Sequence, residues 1–510
     1  MKTRNYLFCT FLLLSFLTKA ADKATYRGTV FLDLNKNGVM DKNESGLEGV
    51  LVTNGKEVVR TNDKGEWNLV SNHQSEYFYV IKPSGYQVPV NKNQIPQHYF
   101  YLTSENKTTG SIDFPLYKTE DENKFSVVVF GDPQARGKRE MNFIFHDAVE
   151  ELIGTDARFG ISLGDIVADE PEMMDDISAG IARIGIPWYN IIGNHDNDRD
   201  AKTNEERDNT FERLFGPSTY AFEYGQVAFI HLNDIYFNKN GKYKPHFSDQ
   251  QLEFVKNYLD RVPQEKLVVL MMHAPLVACD NRDKMYELLQ NRKHSFSISG
   301  HVHEQVNLFI DEEMGWKGET PHHHLINATV CGSWWCGVND ELGIPHATMN
   351  DGAPNGYSIV TFAGNKYSVR FKAARRPENY QMNIYMPDEI EANSLDTTKV
   401  LVNVFAGSER SVVEMTVSGT DKWIKLGKKD QIDPQSLKVH LLNPYLEKEI
   451  EGAALEDILG FKMDYPSVST HMWEGYLSQD LKPGTYNLSV KTTDMFGQTW
   501  TANRIFRIKE

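Results

Sequence analysis

The chain has 510 residues, 40% hydrophobic and 11% aromatic, with a formal net charge of -16. Ordinary domains run to about 100–200 residues, so a single domain is excluded, and the apolar content suffices for several cores. The acidic balance argues against duplex nucleic acid as a partner, so a phosphorylated ligand would need a local positive centre such as a metal site.

Residues 1–20 read as a signal peptide. Lys2 and Arg4 precede the apolar run Leu7 to Leu17, and Thr18-Lys19-Ala20 offers a small-residue cleavage site. The run is too short to span a bilayer, and no later segment reads as transmembrane. The expected location is outside the cytoplasm: secreted, in the periplasm. Cys9 leaves with the signal, so Cys279, Cys331 and Cys336 remain. A Cys331–Cys336 disulfide and buried free thiols weigh evenly.

Residues 21–118 predict an all-β sandwich, with short apolar segments such as Gly28-Thr29-Val30-Phe31 and Tyr77-Phe78-Tyr79-Val80-Ile81 between turn signals. Its first loop matches the EF-hand template, with Asp33, Asn35, Asn37, Val39, Asp41 and Glu44 at the ligand positions and Gly38 at the sharp turn. Because strands flank it, this loop resembles the calcium-binding loops of bacterial surface β-sandwich repeats. One calcium ion is the expectation, with modest affinity because two ligands are Asn.

A charged stretch from Lys118 to Lys124 reads as a linker. Residues 122–374 then alternate strands and helices, which predicts an α/β domain with a largely buried sheet. Expected strands are Phe125–Phe130, Phe159–Leu163, Trp188–Ile192, Val227–Leu232, Leu267–Met272, Phe296–Ile298 and Tyr367–Phe371. Expected helices are Arg139–Leu152, Glu170–Ile184 and Ser248–Val262, the last with Ser248 as N-cap. After a second linker, residues 380–510 read as a further β-rich domain.

Five short motifs follow apolar runs: Gly131-Asp132-Pro133-Gln134, Gly164-Asp165, Gly193-Asn194-His195-Asp196, His273 and Gly300-His301-Val302-His303. Each supplies a metal-binding residue type where loops after parallel strands would meet. A carboxylate can bridge two cations because it has two oxygens and a charge that offsets their repulsion. Singly, each motif is ordinary turn or packing chemistry. In order, and each after a strand, they point to a metal centre.

Together these motifs resemble the calcineurin-like metallophosphoesterase superfamily over residues 125–372. The resemblance implies a double sheet sandwiched by helices and two divalent ions. It implies that Asp132, Gln134, Asp165 and His303 hold one ion. Asp165, Asn194, His273 and His301 would hold the other, with Asp165 bridging. It also implies that His195 serves the leaving oxygen and that Asp196 orients His195 through a hydrogen bond. Gln134 stands where many members have His. Its neutral oxygen favours harder ions, so Mn or Fe is expected ahead of Zn.

Trp334, Trp335, Asn355 and Tyr357 are candidates for substrate contact, by analogy with secreted members that carry added N- and C-terminal domains. Arg136, Arg199 and Asn233 are weaker ones. His322-His323-His324 cannot share one ion on a strand, since neighbours point opposite ways, and is expected at the surface or behind a ligand. The expected activity is hydrolysis of phosphomonoesters or phosphodiesters. A sugar phosphate, nucleotide, lipid headgroup or other small phosphorylated molecule remains open as substrate. The alternative is a non-catalytic, metal-containing binding or surface protein whose β domains dock a glycan or protein. The complete ligand set and the His195–Asp196 pair argue against it.

Overall fold

The computed structural model describes residues 24–70, 77–102, 111–120, 123–238, 241–420, 422–446, 449–450, 453–454 and 460–510. The expected signal segment, residues 1–20, lies outside them.

The N-terminal region pairs two four-stranded sheets around Val30, Trp67, Phe78 and Phe114. Strand Glu66–Val70 alternates outward Glu, Asn and Val with inward Trp67 and Leu69, the period of a sheet buried on one face. Lys82 seals this unit to the next. It is buried, donates from Nζ to Glu223 O (2.6 Å) and Tyr86 O (2.9 Å), and lies 3.6 Å from the centre of the Tyr224 ring.

The central region has two sheets. We label its strands β1 (Lys124–Phe130), β2 (Phe159–Ser162), β3 (Trp188–Asn190), β4 (Tyr220–Tyr224), β5 (Val227–His231), β6 (Leu267–Met271), β7 (Ser295–Ser299), β8 (Val306–Ile310), β9 (His322–Ile326), β10 (Gly356–Ala363) and β11 (Lys366–Ala373). One sheet runs β3-β2-β1-β10-β11 and the other β4-β5-β6-β7-β9-β8. β1, β2 and β3 are parallel, as are β5, β6, β7 and β9.

β1 shows why two layers form. Phe125, Val127 and Val129 join the core between the sheets. Val128 and Phe130 point the other way, onto helical residues Phe143, Ile144 and Ile177. On the far side, Phe254, Val255, Met285 and Leu289 cover the second sheet. Both faces of β1 are therefore apolar, as its near-continuous hydrophobic run requires.

Ser248 caps helix Asp249–Leu259 with a complete capping box, as its sequence predicts. The expected helix Arg139–Leu152 is interrupted by a π-helical turn, Phe145–Val149. That turn carries Asp147 into the interior, where Arg375 Nε (2.6 Å) and Asn355 Nδ2 (2.9 Å) meet its carboxylate.

Residues 382–509 pair a four-stranded with a five-stranded sheet around Val402, Met415, Trp473 and Val490. This unit reaches the central one through a buried His471–Asp351 hydrogen bond (2.9 Å) and a Ser467–Glu304 hydrogen bond (2.6 Å). Among the described residues, no helix is long and apolar enough to cross a membrane.

Candidate metal centre

Register brings the motifs together. Phe130, Ser162 and Asn190 are neighbours across β1, β2 and β3, so the loops after them emerge side by side. Met271 lies opposite Ile298, and Ser299 opposite Ile326, which delivers His273 and the Gly300–His303 turn to the same edge. This is the carboxyl edge of both parallel sets, where α/β sheets place their sites.

The backbone there is strained. Five of the seven candidate ligands have left-handed φ: Asp132 (33°), Gln134 (40°), Asp165 (45°), His301 (75°) and His303 (59°). Such conformations cost free energy for residues with a Cβ, and they cluster at functional sites. Two glycines permit the crowding. A Cβ on Gly193 would lie 2.2 Å from Asp165 Oδ1, and one on Gly300 2.2 Å from Asp132 Oδ1.

Four donors meet at His273, which is fully buried. Its Nδ1–H donates to Leu163 O (2.8 Å), which leaves Nε2 as a lone-pair donor. Around that Nε2 stand Asp165 Oδ2 (3.2 Å), Asn194 Oδ1 (3.1 Å) and His301 Nδ1 (3.1 Å). Beside them, His303 donates from Nδ1 to Gly332 O and turns Nε2 to Asp132 Oδ2 (3.3 Å). Gln134 is buried nearby, its Oε1 3.8 Å from Cys331 Sγ, which also lies 3.6 Å from His303 Nδ1.

The electrostatics ask for a cation. Burial works against charge on His273, yet Asp165 outweighs it and lifts the imidazole to about 10. Burial likewise opposes charge on Asp165, and His273 and then His195 overcome it and hold the carboxyl below its ordinary range. Without an ion the positive charge is a proton on His273 Nε2, held there by Asp165; a divalent cation would displace the proton and free the lone pair. Asp165, His273 and His301 form the one such trio among the described residues. The donor set fits divalent metal.

His195 sits beside this cluster, its backbone N–H donating to Asp165 Oδ1 (2.8 Å). Its ring is held by Asp169, with Nδ1 at 2.8 Å from Oδ1, and Arg199 pairs with the other oxygen of Asp169. The expectation that Asp196 orients His195 is corrected. Asp196 is fully buried and accepts from Gly193 N (2.8 Å) and Val167 N (3.1 Å), so it pins the motif's backbone instead. Burial, then the charge of Asp165, pushes its carboxyl up to about 7.

The substrate candidates separate. Trp334 is half-buried and stacks on His303 with ring centres 4.4 Å apart. Trp335 is core: it packs on Phe143, and its Nε1 donates to Pro133 O (3.2 Å). Asn355 ties Asp147 to Val330 O, and Tyr357 lies in the helix-side core. All three are buried. Arg136 pairs with Glu140 and donates to Trp334 O (2.7 Å), and Asn233 donates to Asp208 (3.2 Å).

His322, His323 and His324 are buried in β9, which corrects the surface expectation. Serines of β7 bracket two of them in the order Ser295, His322, Ser297, His324, Ser299. His323 faces the other way, to Tyr367 and Asn307. Cys279, Cys331 and Cys336 are free thiols.

Three groups escaped the sequence reading: Asp169, Asp234 and Tyr243. Asp234 accepts from the backbone of His273 (3.2 Å) and Ala274 (3.0 Å). The Tyr243 hydroxyl lies 3.2 Å from His301 Nε2. None belongs to a recognisable motif. Only Asp169, four residues after Asp165, offers a local signal.

Known families match along most of the chain. Residues 125–305 match the model of the calcineurin-like phosphoesterase, residues 34–119 its N-terminal model and residues 324–500 its C-terminal model. The chain belongs to the calcineurin-like phosphoesterase family, with a mixed α/β catalytic core between two β-rich domains. Two solved structures overlap it at low identity. One is purple acid phosphatase PPD1 from seeds of yellow lupin (Lupinus luteus), 12% identical over 65% of this chain and 69% of that one, with TM-score 0.36. The other is the spore cortex lytic enzyme SleM of Clostridium perfringens, 8% identical over 76% of this chain and 100% of that one, with TM-score 0.14. No curated protein matches the chain.

Proposed function

We propose that this chain is a secreted phosphohydrolase with two divalent ions, cleaving phosphomonoesters or phosphodiesters. The observation that carries the reading is the convergence of Asp165, Asn194 and His301 on the Nε2 of His273. Asp132, Gln134, Asp165 and His303 would hold one ion. Asp165, Asn194, His273 and His301 would hold the other, with Asp165 shared. When bound, such ions supply an activated water and offset charge on the phosphoryl oxygens.

The chain's own groups do the rest. His195 keeps Nδ1–H on Asp169, so Nε2 is the atom that delivers a proton to the leaving oxygen. Arg199 holds Asp169 from its other side. Trp334 covers one face of His303 by stacking on its ring. Secretion rests on residues 1–20, whose charged start and short apolar run suit export to the periplasm.

The first-domain loop supports a calcium ion as a stiffener. Gly38 N donates to Asp33 Oδ2 (2.8 Å), Asn37 N to Asn35 Oδ1 (3.0 Å) and Leu34 N to Glu44 Oε1 (2.8 Å). These bonds curl the loop while carboxylate lone pairs remain for an ion.

A metal-supplemented screen of phosphomonoesters and phosphodiesters tests the activity. Turnover on at least one class, lost in Asp165→Asn and in His195→Ala, is expected. A fully metal-loaded protein inert across the panel would overturn the reading.

A further inference from the structure

A hairpin formed by Ile235–Phe237 and Tyr243–Pro245 brings Tyr243 to the edge where the candidate ligands meet. The hairpin is fixed from several sides. Asp234, just before it, accepts from the backbone N–H groups of His273 (3.2 Å) and Ala274 (3.0 Å). His246 N, just after it, donates to Asp234 O (2.8 Å). Asn204 closes two hydrogen bonds on the backbone of Phe237, both 2.8 Å, and the Arg207 guanidinium lies 4.1 Å from the centre of the Phe237 ring. Phe237 stands opposite Tyr243 across the hairpin, so Tyr243 sits on a braced element.

The Tyr243 hydroxyl is 3.2 Å from His301 Nε2, with the two rings edge-on and their centres 5.8 Å apart. The direction of this hydrogen bond follows from the other side of the imidazole. His301 Nδ1 faces His273 Nε2 at 3.1 Å, inside the ligand cluster. Without an ion that Nδ1 accepts from His273, and with one it gives its lone pair to the metal. In either case the proton of the neutral ring is on Nε2, which donates to the Tyr243 oxygen. The phenol O–H is then left over. It has no other hydrogen-bond partner among the described residues, and Tyr243 is 38% exposed. A fixed neutral donor, open to solvent and one hydrogen bond away from a ligand, suits an oxygen of an ester bound at the centre.

We propose that Tyr243 contacts the substrate, its hydroxyl donating to a non-bridging oxygen of the phosphoryl group. The inference rests on the two-ion reading above and adds a residue to it. His195 serves the leaving oxygen, and Tyr243 holds the group that is transferred to water.

Tyr243→Phe keeps the ring against His301 and removes only the hydroxyl. The full-length protein in excess manganese is titrated with inorganic phosphate by calorimetry. Bound metal is read by elemental analysis, and kcat and KM are measured on an ester that the unaltered protein turns over. In Tyr243→Phe phosphate binding should weaken about tenfold or more, as expected for loss of a hydrogen bond to a charged group, and kcat/KM should fall with it. Metal content and melting temperature should stay as they are. Unchanged phosphate affinity at unchanged metal content overturns the proposal. So does a variant that loses metal and, once reloaded, binds phosphate as before, because Tyr243 would then only position His301. A failure confined to Tyr243→Phe leaves the two-ion reading standing, whereas unaltered, fully loaded protein that neither binds phosphate nor turns over an ester overturns both.

Discussion

The imidazole of His195 is held by Asp169, 26 residues earlier in the chain, and not by its neighbour Asp196. The Nδ1–Oδ1 distance is 2.8 Å, whereas both oxygens of Asp196 are taken by the backbone N–H groups of Gly193 and Val167. A residue next to His195 in sequence cannot both pin the turn from below and reach the ring above it. The case against a non-catalytic protein therefore rests on the His195–Asp169 pair.

This assignment separates two variants. Asp169→Asn should lower kcat about 10²-fold, the range of a disrupted proton-transfer group, with the melting temperature little changed. Asp196→Ala should instead destabilise the fold, because it strands two buried N–H groups. Steady-state kinetics and thermal unfolding on both proteins check this, and the reverse pattern would restore Asp196 as the orienting group.

The two adjacent tryptophans should behave differently. Trp335→Ala removes a fully buried ring and should cost about 3–5 kcal/mol in denaturant unfolding. Trp334→Ala removes a half-buried ring stacked on His303 and should change KM with a much smaller loss of stability. Equal stability losses in both would place Trp334 in the core as well.

Metal choice should follow Gln134. An imidazole is a softer donor than an amide oxygen, so Gln134→His should raise the zinc content relative to manganese and iron. Elemental analysis of protein purified without added metal reads this directly. Zinc filling both positions in the unaltered protein would remove the argument.

The histidine ladder predicts acid lability. Burial lowers His322 and His323 to about 3, from an ordinary value of 6.5, and drives His324 well down. Between those limits the unfolded chain takes up protons that the folded one refuses. Stability is therefore full above about pH 6.5 and falls as pH falls. His322→Gln and His324→Gln should each flatten the drop in melting temperature between about pH 7 and pH 5. An unchanged slope would show that other groups govern acid unfolding.

The calcium loop is tested in the intact protein. Millimolar calcium should raise the melting temperature of the first transition relative to chelator, and Asp33→Ala should abolish the difference. No shift in the unaltered protein would leave the loop as a turn closed by its own side chains.

Local pattern was enough for the central strands, because runs such as Val127–Phe130 have apolar residues on both faces and admit only a covered sheet. It was enough to bring the candidate ligands to one place as well, because each follows a strand end at once and the parallel order carries all of them to one edge. The Ser248 cap was legible for the same local reason. Asp169, Asp234 and Tyr243 were not, since each acts through a partner remote in sequence. Burial was hidden too: Trp335, Asn355 and Tyr357 sit in a segment as polar and turn-rich as a binding loop. The π turn and β10 fold it inward. The sequence by itself determined the classes of strand, helix and ligand, which are properties of adjacent residues. Only the tertiary structure decided which acid holds His195 and which tryptophan stacks on His303. Those outcomes depend on distances across packed layers, and such distances have no counterpart in spacing along the chain.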